Sequence, residues 1–362
     1  MKHILFTVTN DLVYDQRMQR ICSALSEEGY RCSLIGRQKR DSAPLQEHVF
    51  EQRRINCWFE KGKAFYLEYN LRLLFFLLFR KIDAICTIDL DTALPVYLVC
   101  RLRRKPFVFD SHEYFSELEE VITRPMVHRI WQWVEQFIMR RFDMGYTISV
   151  GYAKLFKTRY NANLEVVRNV PVLRKVAHRE PSSPPYLIYQ GALNIGRGLE
   201  ESILAMKSID GMTLRIYGDG PIREKLEELI RDQELKGKVT LCGALPHDEL
   251  RKETARAFAG LTLFSNTGLH HQHSLANRFF DYIHAGIPQI AIDHAEYRAF
   301  NDQYSIARLI ASATPEAITE AINELRTESI TYEQLRSNCQ LASEENNWQK
   351  ESQKLLSIYA QL

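Results

Sequence analysis

The sequence lacks any hydrophobic run long enough to cross a membrane. Its most apolar stretch, residues 73–79, has only seven residues, whereas a spanning helix needs about 20. The seven cysteines form no CxxC pair and show no Cys and His spacing typical of a metal site. We therefore expect reduced thiols in a cytoplasmic protein. Met1 leads directly into a strand-like segment, so no signal peptide is expected, and no internal repeat is present.

The length and composition are typical of a two-domain globular protein. The chain has 362 residues, of which 45% are hydrophobic and 25% are charged, and this length exceeds one typical core. Residues 1–180 hold 29 Lys and Arg against 21 Asp and Glu, whereas the remainder hold 18 against 24. Halves of opposite charge indicate two domains with different partners. No nucleic-acid partner is predicted.

Strand-like and helix-like segments alternate along the chain, which predicts βαβ units with parallel sheets. The predicted strands are residues 3–9, 31–36, 84–89, 107–110, 145–149, 164–169, 186–191, 213–218, 238–243, 260–265 and 288–293. The polar, proline-rich residues 178–185 interrupt the alternation once. The predicted fold class is α/β, with two tandem Rossmann-like doubly wound domains at residues 1–180 and 181–345. Residues 346–362 are predicted to form a helix that packs back toward the first domain.

The apolar stretch at residues 73–79 has basic neighbours. Arg72 and Arg80 bracket it, and a second basic cluster occupies residues 101–105. Two interpretations are open for this stretch. A buried helix is favoured, and the alternative is a helix that lies on an anionic membrane surface.

Residues 274–288, SLANRFFDYIHAGIP, predict a short helix with a polar N-terminal half. Ser274 is the expected N-cap, Gly286 suits the C-terminal cap, and Pro288 prevents continuation. Three polar residues occupy the first two turns: Asn277, Arg278 and Asp281. The free N–H groups of a helix N-terminus suit a phosphate, and the Asp281 carboxylate can accept from ribose hydroxyls. The alternative is a capped amphipathic helix with ordinary surface charges.

Two glycine-rich loops in the second half follow predicted strands. Their glycines, which let the backbone approach a ligand, are Gly191, Gly196, Gly198, Gly218 and Gly220. Arg197, between two of them, suits a bidentate contact with a diphosphate, although a solvated surface arginine is the alternative. The run around Gly218 and Gly220 lacks the third glycine of a dinucleotide fingerprint. A tight turn is its simpler interpretation.

His112 is the candidate residue of the first half, because it follows a predicted strand between Asp110 and Glu113. An imidazole there suits a substrate hydroxyl or developing charge, and a structural histidine is the alternative. The first strand-to-helix loop contributes the candidate acceptor contacts Asn10, Asp15 and Arg17. Asp15 as a helix N-cap and Arg17 as a surface residue are the simpler interpretations. His270, His271 and His273 are interpreted as a polar loop, and no metal is predicted.

Taken together, these motifs resemble the GT-B glycosyltransferases, and within them the retaining family 4 group. The resemblance covers nearly the whole chain and is strongest at residues 186–291. The segments that carry it are YQGALNIGRGLEESILAM, LRIYGDGPIREKLEELI, VTLCGALPHDEL and LANRFFDYIHAGIPQIA, with DQRMQRICSALSEEGY and FDSHEYFSE in the first half. Trp348 and Tyr359 of the final helix fit the same pattern.

The resemblance implies roles for individual residues. It implies a donor-binding set of Gly191, Arg197, Gly218, Gly220, Gly243, His273, Ser274, Asn277, Arg278 and Asp281. Within this set Arg197 matches the residue that binds the donor diphosphate, Asp281 matches the ribose-binding carboxylate, and the loop after Gly243 matches the base contact. His112 matches the histidine near the reacting carbon, so the implied catalytic residues are His112, Arg197 and Arg278. Asn10, Asp15, Arg17 and Glu113 are expected on the acceptor side.

Two positions depart from the family pattern. The first glutamate of its Glu-x7-Glu motif falls at His273, so the pair here is His273 and Asp281. The basic residue usual in the first glycine loop is replaced by Ala192. These departures leave the identity of the donor open.

The expected function is transfer of a sugar from a nucleotide-sugar donor to an acceptor hydroxyl, in bacterial-type polysaccharide or glycolipid assembly. The second domain is expected to bind the donor, and the basic first domain a saccharide or lipid-linked saccharide. No metal and no cofactor are expected, and retention of configuration is implied by the family alone. The expected location is cytoplasmic, with peripheral contact at the inner face of the plasma membrane. Two alternatives remain: a sugar-nucleotide 2-epimerase and a non-catalytic nucleotide-sugar-binding module.

Overall fold

A computed structural model describes residues 1–13, 15–174, 182–265 and 269–362. Residues 178–181 of the predicted linker lie outside these ranges, as does the side chain of His270. The chain divides into two compact units, one formed by Met1–Asn169 with Glu351–Leu362 and the other by Val170–Lys350. The change of unit therefore falls after residue 169 rather than after residue 180. The C-terminal return to the first unit begins at residue 351 rather than at residue 346.

Seven parallel strands form the sheet of unit 1 within the described residues, in the order β3-β2-β1-β4-β5-β6-β7. The strands are β1 (His3–Thr7), β2 (Arg31–Gln38), β3 (Glu51–Asn56), β4 (Ala84–Ile88), β5 (Phe107–Ser111), β6 (Met144–Thr147) and β7 (Glu165–Val166). The helices are α1 (Gln16–Glu27), α2 (Gly62–Leu78), α3 (Ala93–Arg103), α4 (Glu119–Ile122), α5 (Pro125–Ile138) and α6 (Val150–Tyr160). Strand β3 was not predicted, because its sequence EQRRIN has no apolar alternation.

Helix α2 contains the apolar stretch at residues 73–79. One side of the helix is buried against the sheet through Phe65, Tyr69, Leu73 and Leu77, which recur at every fourth position. They join side chains of α3, α5 and α6 in one hydrophobic core. The interpretation as a buried helix holds for this side only, because other apolar residues of α2 are exposed.

Unit 2 contains a second parallel sheet, in the order β10-β9-β8-β11-β12-β13. Its strands are β8 (Tyr186–Gln190), β9 (Thr213–Tyr217), β10 (Val239–Gly243), β11 (Ala259–Thr262), β12 (Gln289–Ile292) and β13 (Ala307–Ile310). Its helices are α7 (Leu199–Ala205), α8 (Arg223–Asp232), α9 (His247–Thr254), α10 (Leu269–Gln272), α11 (Asn277–Ala285), α12 (Ala295–Tyr304), α13 (Pro315–Thr327) and α14 (Ser329–Glu345). The predicted α/β class with two doubly wound domains is confirmed.

The final helix, α15 (Trp348–Tyr359), carries the chain back into unit 1. There the buried Tyr359 ring lies 6.0 Å from the ring of Phe6, and its hydroxyl lies 3.2 Å from that of Tyr146. The seven cysteines are all within the described ranges and are free thiols. Among the described helices, none combines the length and apolar character that a membrane crossing requires.

Candidate functional site

Glycines at the carboxyl ends of three adjacent strands form the base of the candidate site in unit 2. The N–H of Gly191 donates to the carbonyl of Tyr217 at 3.0 Å, and that of Gly218 donates to Gly243 at 2.8 Å. A Cβ atom built on Gly218 would lie 1.9 Å from the carbonyl oxygen of Gly191. Gly218 also has φ +143°, where other residues are strained. Only glycine fits here, so bare backbone lines this edge of the sheet.

The second glycine of the same loop also packs against backbone. A Cβ atom on Gly220 would lie 2.5 Å from the carbonyl oxygen of Leu193. The N–H of Leu193 in turn donates to the carbonyl of Asp219 at 3.0 Å. The loops after β8 and β9 are therefore held side by side at the same edge of the sheet.

Two arginines converge on Gly191. A Cβ atom on this glycine would lie 3.5 Å from Nη1 of Arg278 and 3.8 Å from Nη1 of Arg197. Arg278 is only 5% exposed, and its guanidinium lies over the rings of Tyr189 and Phe264. Its buried Nε has no hydrogen-bond partner among the described residues. Two guanidinium groups beside open backbone make a site suited to a diphosphate.

Helix α11 begins beside these arginines, but later than expected. Its N-cap is Ala276, which provides no side-chain hydrogen bond, so the prediction of Ser274 as the cap is wrong. Ala276 is extended, which places Ser274 outside the first turn. The prediction for the other end is confirmed, because Gly286 closes the helix at φ +69°. The N–H groups at the start of a helix suit an anion.

Asp281 is fixed to the end of strand β8. Its Oδ2 accepts a hydrogen bond from Nε2 of Gln190 at 2.8 Å, and Oε1 of Gln190 accepts from the hydroxyl of Thr254 at 2.7 Å. Asp281 lies one turn after Arg278 on α11. The carboxylate and the guanidinium therefore stand on one helix at the same edge of the sheet.

His273 lies just before α11 and is half-buried. Burial lowers its pKa, and the neighbouring His294 lowers it further. Burial also lowers the pKa of His294. Both imidazoles therefore lose their protons at a lower pH than an exposed histidine does. The described residues include no cluster of His, Cys, Asp and Glu suited to a metal ion.

In unit 1, three side chains form a charged cluster at the carboxyl end of β5. Nη2 of Arg17 lies 3.2 Å from Oδ1 of Asp110. Nε2 of His112 lies 2.8 Å from the other Asp110 oxygen and 3.0 Å from Nε of Arg17. Arg17 also donates to the carbonyl of Val167 at 3.1 Å. The prediction of a surface position for Arg17 is wrong, since its side chain is 4% exposed.

The cluster controls the charge of His112. Burial acts to lower the pKa of His112, but the carboxylate of Asp110 outweighs it, so the pKa lies above its usual value. Burial acts to raise the pKa of Asp110, but the charges of Arg17 and His112 hold it below the usual value. His112 therefore keeps its proton to a higher pH than an exposed histidine does.

Asp89, which the sequence interpretation missed, holds the backbone of the same loop. Its Oδ1 accepts from the N–H groups of His112 at 2.8 Å and Glu113 at 3.1 Å. Burial raises the pKa of Asp89 well above its usual value and that of Asp91 to about 6. The sequence could have indicated both aspartates, because they closely follow β4, which lies beside β5 in the sheet.

Asp15 is the N-cap of α1, as its simpler interpretation stated. Its Oδ1 accepts from the N–H of Met18 at 3.1 Å, and its Oδ2 accepts from Nδ2 of Asn10 at 3.4 Å. The structure thus brings Asn10 and Asp15 together at the start of α1. Their expected contact with an acceptor stays a prediction.

Two family models match the chain, one on each half. The model of Glycosyltransferase Family 4 matches residues 16–170, and the model of Glycosyl transferases group 1 matches residues 174–341. The chain belongs to the GT-B glycosyltransferases. The two matches leave out only the two ends and a short stretch between them.

Solved structures share the fold of this glycosyltransferase. A sucrose-phosphate synthase from Thermosynechococcus elongatus has a TM-score of 0.81 at 15% identity, covering 100% of this chain and 99% of its own. HepE from Anabaena, in complex with UDP and glucose, has a TM-score of 0.81 at 13% identity and covers 100% of both chains. WaaG, a glycosyltransferase involved in lipopolysaccharide biosynthesis, has a TM-score of 0.74 at 15% identity. The match covers 97% of this chain and 98% of the WaaG chain. Among curated proteins, none matches this sequence.

The predicted donor residues of the glycosyltransferase all lie in unit 2. Those around Gly191 and the start of α11 are brought together by the contacts described above. Asn277 is the first residue of α11, and Ser274 is buried just before it. His112, Arg17 and Glu113 lie together in unit 1. Their roles in the reaction stay predictions.

Proposed function

We propose that this glycosyltransferase moves a sugar from a nucleotide-sugar donor to a hydroxyl of a saccharide or lipid-linked saccharide. The observation that carries the proposal is the convergence of Arg197 and Arg278 on the backbone of Gly191. A buried guanidinium that lies against open backbone needs an anion more than a surface arginine does. A nucleoside diphosphate has the charge and the shape for that position.

The donor is held, in this proposal, by groups of unit 2 alone. Arg197, Arg278 and the first N–H groups of α11 neutralise the diphosphate. The carboxylate of Asp281, oriented by Gln190, accepts from the ribose hydroxyls. The base lies against the loop after Gly243. A UDP-sugar is the first donor to test, because the similar HepE structure contains UDP and glucose.

The transfer step needs positive charge where the leaving diphosphate develops its own negative charge. Two guanidinium groups and a helix N-terminus supply it, so we propose a reaction without a metal or cofactor. The acceptor hydroxyl attacks the anomeric carbon on the face from which the nucleotide departs, so configuration is retained. The leaving nucleoside diphosphate accepts the proton of that hydroxyl, so the bond from the sugar to the nucleotide breaks as the bond to the acceptor forms.

His112 acts, in this proposal, near the reacting carbon. Arg17 and Asp110 occupy the surroundings of its Nε2, so we assign the substrate contact to Nδ1. A protonated imidazole donates to a sugar hydroxyl and offsets developing negative charge. Asn10, Asp15 and Glu113 form the acceptor side of unit 1 in this proposal, and the buried Arg17 acts there only through its contact with His112.

The pathway is proposed as polysaccharide or glycolipid assembly at the cytoplasmic face of the plasma membrane. The similarity to WaaG, which is involved in lipopolysaccharide biosynthesis, supports this assignment. The position of His273, where the family has a glutamate, favours one competing candidate, a non-catalytic module that binds a nucleotide sugar. An imidazole in place of the family's glutamate removes a carboxylate from the donor-sugar side.

The test is a thermal-shift screen with UDP-, GDP-, ADP- and dTDP-sugars, followed by a turnover assay with the donor that stabilises most. We expect release of the nucleoside diphosphate to require an octyl glycoside acceptor and to yield a glycosylated product. Isomerisation of the donor without any acceptor would identify a 2-epimerase. Donor binding without product from any octyl glycoside that is tested as an acceptor would identify the binding module.

A further inference from the structure

Helix α2 has an apolar side that the protein itself does not cover. Leu67, Leu71, Phe75 and Phe79 recur at every fourth position and are 65%, 48%, 61% and 85% exposed. The opposite side of the helix is the buried one described above. A surface helix normally places polar residues on its outer side. An apolar outer side therefore indicates a second apolar environment.

The neighbouring helices extend this exposed side. Arg103 of α3 donates to the carbonyl of Leu77 on α2 at 3.1 Å, and the ring of Tyr97 on α3 lies 5.1 Å from that of Phe137 on α5. All three helices pack one core from the same side of the sheet, so their outer sides face away from it together. The exposed apolar residues of these helices and the end of α2, here named the apolar face, are Leu67, Leu71, Phe75, Phe79, Leu98, Leu102, Met126, Ile130 and Trp133.

The apolar face is surrounded by positive charge. Residues 62–81, 93–105 and 124–141 contain twelve Lys and Arg but only two Asp and Glu. Of those two acids, Glu135 is fully buried, and Glu68 is paired with Arg72 at 2.8 Å. The exposed basic residues include Arg80, Lys81, Arg101, Arg104, Arg129, Arg140 and Arg141. The net charge presented with the apolar face is therefore strongly positive.

Two occupants suit an exposed apolar surface of nine side chains: a second copy of the chain or a lipid bilayer. A symmetric dimer through the apolar face would set the basic residues of one copy against those of the other. An anionic bilayer accepts both features, since its acyl chains take the apolar side chains and its headgroups pair with Lys and Arg. The charge complementarity favours the bilayer.

We propose that the apolar face docks on an anionic membrane surface, with α2 lying in the plane of the interface. Leu71, Phe75 and Phe79 enter the boundary between headgroups and acyl chains, and the arginines that follow α2 and α3 contact lipid phosphates. The docking goes beyond the proposed function and does not depend on it, although it would bring lipid-linked acceptors to unit 1.

The test is cosedimentation of the full chain with large unilamellar vesicles. We expect binding to vesicles of phosphatidylcholine with about 30% phosphatidylglycerol, weak binding to phosphatidylcholine alone, and weaker binding at high salt. The triple variant Leu71→Ser, Phe75→Ser, Phe79→Ser is expected to bind the anionic vesicles at least about tenfold more weakly. The control is Leu341→Ser, which removes an exposed leucine from unit 2 and is expected to bind like the natural chain.

Several results would overturn the proposal. One is equal binding to both vesicle types, and another is unchanged binding of the triple variant. A third is a dimer in light scattering that the triple variant converts to a monomer, because the second copy would then be the occupant. A thermal melt and nucleotide binding by each variant establish that it folds. Turnover with a water-soluble octyl glycoside is expected to survive the triple substitution, so loss of docking and loss of transfer are separable.

Discussion

Single residues near β5 determine the charge of the proposed catalytic histidine. Asp110 is fully buried and contacts both Arg17 and His112. The motif around His112 indicated a candidate site from sequence, because its polar residues follow an apolar strand. The partnership with Arg17 was not predictable, since it joins residues 95 positions apart. An arginine in the first turn of a helix is ordinarily interpreted as a surface residue.

The pKa of His112 is the first prediction. Its imidazole is expected to titrate above the usual value of about 6.5, as measured by NMR of the ring protons, with His112→Gln to assign the signal. Because the pKa is raised in the folded state, the stability from this group is present below pH 6.5 and is lost as pH rises through the folded pKa.

The Asp110→Asn variant tests the cause of that shift. Removal of the carboxylate is expected to lower the pKa of His112, whereas Arg17→Gln is expected to raise it by removing a positive charge. Breaking a buried pair costs about 3–5 kcal/mol, so both variants need a urea melt as a control. A pKa of His112 that moves in neither variant contradicts the assigned cause.

Elements bring the donor residues of unit 2 to one edge of the sheet. The turns after β8 and β9 and the start of α11 were predictable, because glycines and apolar runs are local signals. The exact first residue of α11 was not, because serine is the preferred N-cap residue, whereas the structure begins the helix after Ala276. Strand β3 was not predicted either, because its sequence is polar. Its backbone pairing with β2 holds it as a strand.

The close contact of two strand-end loops gives the next prediction. Gly218→Ala is expected to destabilise unit 2 by about 1–3 kcal/mol, because its Cβ would meet the carbonyl of Gly191. The same variant is expected to abolish nucleotide binding. Gly237→Ala is the matched control, since a Cβ there meets nothing within 4 Å. Urea unfolding and titration with UDP measure both effects. Equal stability of the two variants contradicts the described loop contact.

The whole molecule consists of two α/β units whose class and family could be predicted from sequence. The order of strands and helices is a repeated local signal, and the motif order along the chain indicated the GT-B family. The identities of the sugar, base and acceptor depend on contacts among distant side chains, which a single sequence does not specify. The return of residues 351–362 to unit 1 is likewise decided by the packing of Tyr359.

The central claim is that Arg197 and Arg278 hold the donor diphosphate. The measurement is calorimetric titration with whichever of UDP, GDP, ADP or dTDP gives the largest thermal shift, in buffer containing EDTA. We expect binding by the natural chain without metal, and a loss of about tenfold to a hundredfold in Arg197→Ala and Arg278→Ala, from one charge-assisted contact each. The control Arg223→Ala, which removes a surface pair with Glu227, is expected to bind normally. Unchanged affinity in both site variants would contradict the account.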